Sequence, residues 1–267
     1  MIIFAKTRYN YDSYSDFWKL VELSGFDTCF VDEIDIAAQN TTYIITPING
    51  EFRPHIKHHR DELKKPWNAK LIWWNLERHT TMDNVILDDI VDYVNDIWVS
   101  DRYYATLNKK FKFVVLGSHP DLRMNKDNIS KIYDYCHISY VYGRRDYIHY
   151  ELKRHGLNIG PNGWGEERDK ILRASKLLIN IHQDIHPISE PLRFAICAAY
   201  SLPIISETIK DPYPLIQNKD IIITDYDGVI TKTIEKYNSD LSYMSNAIYD
   251  NLCIKNTFKI SVEKGLI

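Results

Sequence analysis

The chain has 267 residues, and its 33 Lys and Arg nearly balance its 36 Asp and Glu. This balance excludes the overall basic charge typical of nucleic-acid-binding proteins, although it leaves room for a local basic patch. The four cysteines are too scattered for a zinc knuckle or a redox pair, which fits a reducing compartment. No run approaches the roughly 18 apolar residues of a membrane span, and the first apolar run is too short for a signal peptide. We therefore expect a protein without a transmembrane segment that works in the cytoplasm, or in the host cytoplasm if it is viral.

Short apolar strands alternate with amphipathic helices through the first half of the chain. The strands are rich in β-branched and aromatic residues and show little polar alternation, which is typical of parallel strands covered on both faces. The predicted strands are Ile2–Lys6, Thr28–Asp32, Thr42–Thr46, Lys70–Asn75, Asp96–Ser100 and Lys112–Leu116. The predicted helices are Ser13–Ser24, His55–Leu63, Asp83–Val94 and Arg102–Asn108.

A polar linker at residues 119–130 separates this series from a second one. The second series predicts strands at Tyr135–Val141, Leu157–Ile159, Leu177–Ile181, Leu202–Ser206 and Asp220–Ile223. Its predicted helices are Asp146–His155, Glu166–Ala174, Pro191–Tyr200, Val229–Lys236 and Asp240–Leu252. Two such series predict an α/β protein of two Rossmann-like doubly wound lobes, residues 1–118 and 131–267, facing a central cleft. Ligands of such sheets bind beyond the carboxyl ends of the strands, so the residues just after each strand are the candidates for chemistry.

Two helix starts in the second half carry arginine. Gly143–Arg145 stand at a strand-to-helix turn, where free backbone N–H groups and guanidinium groups together suit a diphosphate. Glu190 precedes another helix, and Arg193 falls in its first turn, where a cation opposes the helix dipole and calls for an anionic ligand or a carboxylate partner. The structural alternatives are an ion pair between Arg193 and Glu190, and an arginine pair that is solvated or bound to Asp146.

The segment around the second of these helices resembles part of a known family. Arg193 precedes an apolar helix that leads into the turn Ala198-Ala-Tyr-Ser-Leu-Pro203, and the stretch from Pro161 to Glu167 resembles the loop before the preceding helix. In the first half, the stretches at 98–102 and 115–121 resemble the last strand of an acceptor lobe and the crossover into a donor lobe. This order of motifs resembles the glycosyltransferases of the GT-B fold, in particular the CgeB-like branch of the group 1 glycosyl transferases.

The resemblance implies an enzyme that moves a sugar from a nucleoside diphosphate donor, expected to be UDP-linked, to an acceptor hydroxyl. Arginines and helix N-termini would offset the charge of the departing diphosphate, so no metal and no other cofactor is expected. Many retaining members carry a Glu on the donor helix, but alignment on Pro203 puts Ile196 at that position, which leaves the ribose contacts and the stereochemical outcome open. The donor-binding candidates are Gly143, Arg144, Arg145, Glu190, Arg193 and His182.

The candidates for the catalytic base lie in the first half. Glu77 and His79 follow the aromatic pair Trp73 and Trp74 at the end of a predicted strand. Because an acceptor hydroxyl loses a proton as the glycosidic bond forms, Glu77, His79 or Asp12 would take that proton in an inverting enzyme. The two tryptophans are better explained as core residues than as a platform for a ligand.

Two apparent metal motifs are interpreted as structural. Asp225 and Asp227 have the spacing of a divalent-metal motif, but they fit a turn between a strand and a helix. His182 and His186 have zinc-helix spacing, but Pro187 favours a loop and no third ligand is evident.

Three alternative functions stay open. The basic run at 53–65 is either a solvated helix face or a contact for DNA or an anionic membrane surface, so the acceptor is a glycan or modified DNA. In the second case the chain would be a viral DNA glycosyltransferase acting on hydroxymethylated bases. The missing helix Glu also permits a non-catalytic protein that binds nucleotide sugars, and a nucleotide-dependent epimerase would have a similar two-lobed architecture.

Overall fold

The computed structural model describes residues 1–6, 8, 14–35, 37–46, 68–76, 94–123, 129–183 and 185–267. Two compact units account for these residues. The first comprises Met1–Val115 together with Val262–Ile267, and the second comprises Leu116–Ser261. The predicted helix His55–Leu63 and nearly all of Asp83–Val94 lie outside the described residues.

The first unit is built on a parallel sheet of six strands in the order β2-β1-β3-β4-β5-β6. All six predicted strands are confirmed, with ends shifted by a few residues. They are β1 Ile2–Lys6, β2 Asp27–Phe30, β3 Thr42–Ile45, β4 Lys70–Asn75, β5 Asp96–Val99 and β6 Phe111–Phe113. Two of the predicted helices are present as α1 Ser15–Leu23 and the short α2 Arg102–Ala105.

Aromatic side chains form the core of the first unit. Trp74 on β4 and Trp98 on β5 are fully buried, and their rings meet edge to face with centroids 5.4 Å apart. The indole N–H of Trp74 donates to Ser100 Oγ at 2.9 Å, so this buried polar atom is satisfied. Trp73 is also buried, which confirms that both tryptophans of the pair are core residues. Asp101 caps α2 by accepting a hydrogen bond from the backbone N–H of Tyr104 at 2.7 Å.

The second unit contains a parallel sheet that is extended by isolated bridges. The regular strands are β7 Leu178–Asn180, β8 Ile204–Glu207 and β9 Ile221–Thr224, in that spatial order. Parallel bridges add Cys136 beside Leu178 and Ile159 beside Tyr135. The sheet therefore runs Ile159, Tyr135–Cys136, β7, β8, β9. In chain order this is second, first, third, fourth and fifth, so the order reverses between Tyr135–Cys136 and β7.

The predicted strands Tyr135–Val141 and Leu157–Ile159 are wrong as regular strands, because each is reduced to isolated bridges. Beyond Cys136 the backbone leaves the ladder. The carbonyl oxygen of Tyr140, for example, accepts a hydrogen bond from Arg145 Nη1 at 3.1 Å instead of from a neighbouring strand. Side-chain donors can replace ladder partners in this way and end a strand early.

Helices surround this second sheet. All five predicted helices are confirmed, although the last is shorter and continues as a π-helical turn at Asp250–Lys255. They are α3 Arg144–Arg154, α4 Gly165–Ala174, α5 Pro191–Ala199, α6 Gly228–Lys236 and α7 Ser242–Tyr249. A further helix, α8 Phe258–Leu266, was not predicted. Among the residues that the structure describes, no helix is both long and apolar enough to cross a membrane.

Candidate functional site

The donor-binding candidates meet at the point where the strand order of the second unit reverses. In doubly wound sheets this switch point opens a crevice, because the loops that follow the two strands on either side of it leave in opposite directions. The chain after Cys136 leads to the start of α3, and the chain after β7 leads to the start of α5. Both helix starts singled out in the sequence are therefore supplied by the loops that border this switch point.

Arg144, the first residue of α3, is fixed by a carboxylate and an aromatic ring. Its Nη2 lies 2.5 Å from Glu207 Oε1 and its Nη1 lies 3.2 Å from Glu207 Oε2, which makes a bidentate pair with the last residue of β8. The ring of Tyr226 lies 4.3 Å from the guanidinium carbon. The Arg144 side chain keeps 26% of its surface accessible. It is thus held rigidly but is still open to a ligand.

Arg145 is buried and holds the loop before α3 against β7. Its Nε donates to the carbonyl oxygen of Ile181 at 3.0 Å, and its Nη1 donates to Ser139 Oγ at 2.8 Å and to the carbonyl oxygen of Tyr140 at 3.1 Å. Only 3% of this residue is exposed. Arg145 therefore links the two loops at the switch point through its hydrogen bonds.

Arg193 in the first turn of α5 pairs with Glu190 and hydrogen-bonds to Asn180 Oδ1 at the end of β7. The ion pair anticipated as the structural alternative is therefore present. Burial would raise the pKa of Glu190, but Arg193 and His182 outweigh it and lower that pKa to about 2. Asn180 in turn donates to Ser206 Oγ at 2.9 Å, so the helix start is tied to both central strands of the sheet.

His182 lies between the carboxylates of Glu190 and Glu207. Its backbone N–H donates to Glu207 Oε2 at 3.1 Å, and its Nδ1 lies 3.7 Å from Glu190 Oε1. Its Nε2 lies 2.9 Å from the carbonyl oxygen of Thr208, and because a carbonyl only accepts, Nε2 carries the proton. His182 and His186 stand in a loop, as predicted.

Two further histidines belong to this region and were not predicted as site residues. His137 follows the Tyr135–Cys136 segment directly, and its Nδ1 donates to the carbonyl oxygen of Ile179 at 3.0 Å. Its ring meets that of His149 edge to face at 5.3 Å, and His149 stacks on Tyr135 at 5.6 Å. Burial lowers the pKa of both rings, to about 4 for His149 and well below 6.5 for His137, with Arg193 adding to the effect on His137. The available signal was that His149 lies four residues after Arg145 and so shares its helix face.

Two further groups of residues are singled out by the sequence. The predicted bases Glu77, His79 and Asp12, and the basic run at 53–65, lie outside the described residues. Asp225 forms a turn between β9 and α6, because its Oδ1 accepts the backbone N–H of Gly228 at 2.6 Å, as predicted. Within the described ranges, no three His, Cys, Asp or Glu side chains are grouped so that they could hold a metal ion.

Comparison with known sequences finds partial relatives. No protein-family model matches the chain. Two uncharacterized proteins of Acanthamoeba polyphaga mimivirus are 28% identical over 137 residues and 33% identical over 148 residues. These matches cover 49% and 53% of this chain but only 45% and 19% of the relatives.

Comparison with solved structures is more extensive. Anabaena HepE in complex with UDP-glucose superposes with a TM-score of 0.61 at 9% identity, covering 98% of each chain. TarM gives a TM-score of 0.60 at 12% identity over 88% of this chain and 56% of its own. An alpha1,3-fucosyltransferase gives 0.54 at 9% identity over 100% and 88%. All three are glycosyltransferases with two Rossmann-like lobes. The chain has a GT-B fold.

The GT-B fold confirms the predicted pair of Rossmann-like α/β lobes. The cluster of Arg144, Arg145, His182, Glu190, Arg193 and Glu207 lies at the switch point of the second unit. The sequence indicated the arginines but not Glu207, although Glu207 directly follows the predicted strand Leu202–Ser206.

Proposed function

We propose that the chain is a glycosyltransferase that transfers a sugar from a nucleoside diphosphate donor to an acceptor hydroxyl. The observation that carries this proposal is the connected cluster of arginines and helix starts at the switch point of the second unit. Doubly wound sheets bind nucleotides at such points. The likeness to HepE, whose structures contain UDP or UDP-glucose, supports a nucleotide sugar as the donor and UDP as its carrier.

The three arginines take different parts in this proposal. Arg144 is the most accessible, so we assign it direct contact with the diphosphate, together with Arg193, whose side chain is 10% exposed. Arg145 is buried and keeps the Gly143 turn in place. Together they offset charge that develops on the departing diphosphate, and the N-termini of α3 and α5 add partial positive charge. A metal ion is not required in this scheme.

The carboxylates in the cluster orient the arginines. Glu207 fixes Arg144 and Glu190 fixes Arg193, so neither guanidinium group has to be ordered when the donor binds. Three arginines and two carboxylates leave one positive charge. His182, only 1% exposed between the two carboxylates, is proposed to hold them in place and not to contact the donor directly. The acceptor hydroxyl would lose its proton to Glu77, His79 or Asp12.

The test is the thermal stabilisation of the full chain by UDP-, GDP-, ADP- and TDP-sugars, because a ligand that binds only the folded state raises its melting temperature. We expect at least one donor to stabilise the chain, and Arg144→Ala to abolish that shift. Arg154→Ala is the matched control, since Arg154 lies on the same helix in an exposed pair with Glu151. The proposal fails if no nucleotide sugar stabilises the chain or if Arg144→Ala responds like Arg154→Ala.

A non-catalytic binding protein is the second candidate, and one observation favours it. Ile196, at the position of the helix Glu in many retaining enzymes, is 2% exposed and packs in the interior of the second unit. No carboxylate reaches the donor from this position. Incubation with a labelled nucleotide sugar separates the candidates. An enzyme transfers or hydrolyses the sugar and an epimerase isomerises it without an acceptor, whereas a binding protein leaves it intact.

The acceptor has two candidates, a glycan and DNA with hydroxymethylated bases. The viral relatives are compatible with the second. DNA binding that weakens steeply with salt would support it, because phosphate contacts release counterions. Indifference to DNA would remove it.

A further inference from the structure

Two aromatic side chains, the exposed Tyr140 and the half-buried Trp164, lie where two neighbouring segments leave the second sheet. Tyr140 follows the Tyr135–Cys136 segment, and Trp164 follows Ile159. The bridge between Tyr135 and Ile159 is parallel, so both segments leave at the same edge of the sheet. The rings of Tyr140 and Trp164 lie 5.8 Å apart at an angle of 57°. We call this pair the aromatic shelf. Tyr140 is 61% exposed, so one side of the shelf is open to a ligand.

Trp164 in the shelf is held firmly. The buried guanidinium of Arg168 lies 4.3 Å from the centre of its ring, and Arg168 Nε donates to the carbonyl oxygen of Gly163 at 3.2 Å. A Cβ at Gly163 would lie 2.8 Å from Glu167 Cγ, and Gly165 has a φ of +56°, so both neighbours of Trp164 favour glycine. An aromatic ring fixed in advance loses little freedom when it binds a ligand.

Ligands with a flat apolar face bind to such rings. Two classes of ligand have such a face, namely nucleobases and sugar rings. Because Arg168 is buried against the Trp164 ring, the exposed charges next to Trp164 in the chain separate these classes. Glu166 and Glu167 lie in the first turn of α4, immediately after Trp164, and both are exposed. Two carboxylates repel a phosphodiester backbone, whereas they accept hydrogen bonds from sugar hydroxyls.

We propose that the aromatic shelf of Tyr140 and Trp164 is a binding site for a neutral saccharide. Its role as the acceptor site rests on the proposed transferase function, whereas saccharide binding itself does not. The shelf therefore favours a glycan over DNA as the acceptor. No residue of the shelf takes part in the arginine cluster through its side chain, so the two sites can be tested separately.

The experiment measures binding of the full chain to an array of neutral glycans and, in parallel, to a short DNA duplex containing hydroxymethylated cytosine. The variants are Trp164→Ala and Tyr140→Ala, and the control is Tyr150→Ala, since Tyr150 on α3 is also 61% exposed. We expect glycan binding, weakened about tenfold or more in both shelf variants and unchanged in the control. Tyr140→Ala keeps the test valid if Trp164→Ala fails to fold.

The saccharide proposal is overturned if no neutral glycan binds, if both shelf variants bind glycans as well as the control does, or if the shelf variants lose DNA binding instead. The thermal shift caused by nucleotide sugars is measured on the same variants and is expected to stay unchanged. Glycan binding without any nucleotide-sugar shift would retain the saccharide site and reject the proposed transferase function. A nucleotide-sugar shift without glycan binding would reject the saccharide site alone.

Discussion

The two arginines proposed to contact the donor are each held by a carboxylate, and the two carboxylates lie at very different distances along the chain. Arg193 pairs with Glu190 three residues before it, and sequence alone anticipated that pair as the structural alternative. Arg144 pairs with Glu207, which lies 63 residues away and is brought to it by the sheet. A helix contact three residues apart can be inferred from spacing. A contact between a helix start and a strand end can be inferred only when the order of strands in the sheet is known, and the alternation of strands and helices along the chain does not give that order.

Glu207→Gln tests the importance of the longer-range pair. Glutamine keeps the shape of the side chain but removes the charge that faces Arg144. Because Glu207 is buried and Arg144 is partly exposed, we expect the free energy of unfolding to fall by roughly 1–3 kcal/mol. Urea unfolding of the full chain measures this change. Glu235→Gln is the control, because Glu235 pairs with Lys232 on the surface, and we expect no measurable change there. Equal effects of the two substitutions would contradict the role given to Glu207.

His149 makes stability depend on pH. Its folded pKa of about 4 lies below the 6.5 of a free imidazole, mainly because it is buried, with Arg145 lowering the pKa further and Asp146 raising it. Between pH 6.5 and 4 the unfolded chain binds a proton that the folded chain does not, so stability falls as the pH falls. The loss from this residue is at most about 3 kcal/mol. Melting temperatures measured across this range test the effect.

His149→Phe tests the slope with pH, because phenylalanine keeps the stacking on Tyr135 and cannot titrate, although it loses the 3.2 Å hydrogen bond between His149 Nδ1 and the Tyr135 hydroxyl. We expect its melting temperature to change less with pH between 6.5 and 4 than that of the parent chain. Glu190 acts in a different window, because its lowered pKa supports the fold above pH 4.5 and that support is lost toward pH 2. A slope between pH 6.5 and 4 that is unchanged in His149→Phe would refute the assignment.

At the scale of elements, strands covered on both faces were the easiest to predict. The strands of the first unit contain buried residues such as Ile44, Ile72 and Trp98, and their apolar runs end close to the observed ends. The segment after Cys136 was harder to predict, since it contains apolar residues like a strand but the carbonyl oxygen of Tyr140 bonds to the side chain of Arg145. The helix α8 was missed because its polar residues Lys259, Glu263 and Lys264 break up a short apolar pattern.

Gly265 of α8 packs closely on Trp98 of β5, and for this reason we expect an alanine at Gly265 to lower the stability of the chain instead of raising it. Replacing a helical glycine by alanine ordinarily stabilises a helix by about 1 kcal/mol. At Gly265, however, the added methyl group would lie 2.8–3.1 Å from three atoms of the Trp98 ring, which is fully buried and cannot move away. We therefore expect Gly265→Ala to destabilise the chain by about 1–3 kcal/mol. Urea unfolding checks the sign.

The control for this prediction is the double variant Gly265→Ala with Trp98→Phe. A phenylalanine ring stops short of the three atoms that meet the new methyl group, so the alanine is expected to cost less in this background than in the parent chain. Such non-additivity is the signature of a direct contact. Additive effects of the two substitutions would show that the methyl group and the indole do not interfere.

At the scale of the whole molecule, both units repeat one topology. The first sheet begins β2-β1-β3, and the second begins Ile159, Tyr135–Cys136, β7. In each, the strand that comes first in the chain lies between the second and the third, and the strand order reverses between the first and the third. The alternation of strands and helices was enough to predict two doubly wound lobes. It did not show that the last residues of the chain belong with the first unit, because nothing local in the residues 262–267 indicates which sheet they cover.

The return of the chain end to the first unit gives the last prediction. Val262 is fully buried and Gly265 packs on Trp98, whereas the final residue, Ile267, is almost completely exposed. Deleting 262–267 should uncover Trp98 and loosen β5, while deletion of Ile267 alone should have no effect. Hydrogen exchange followed by mass spectrometry measures both outcomes peptide by peptide. We expect faster exchange in peptides from Asp96–Val99 after the longer deletion and unchanged exchange in β7 and β8. Exchange that rises equally in both units would mean that the C-terminal residues stabilise the chain as a whole, not the first unit in particular.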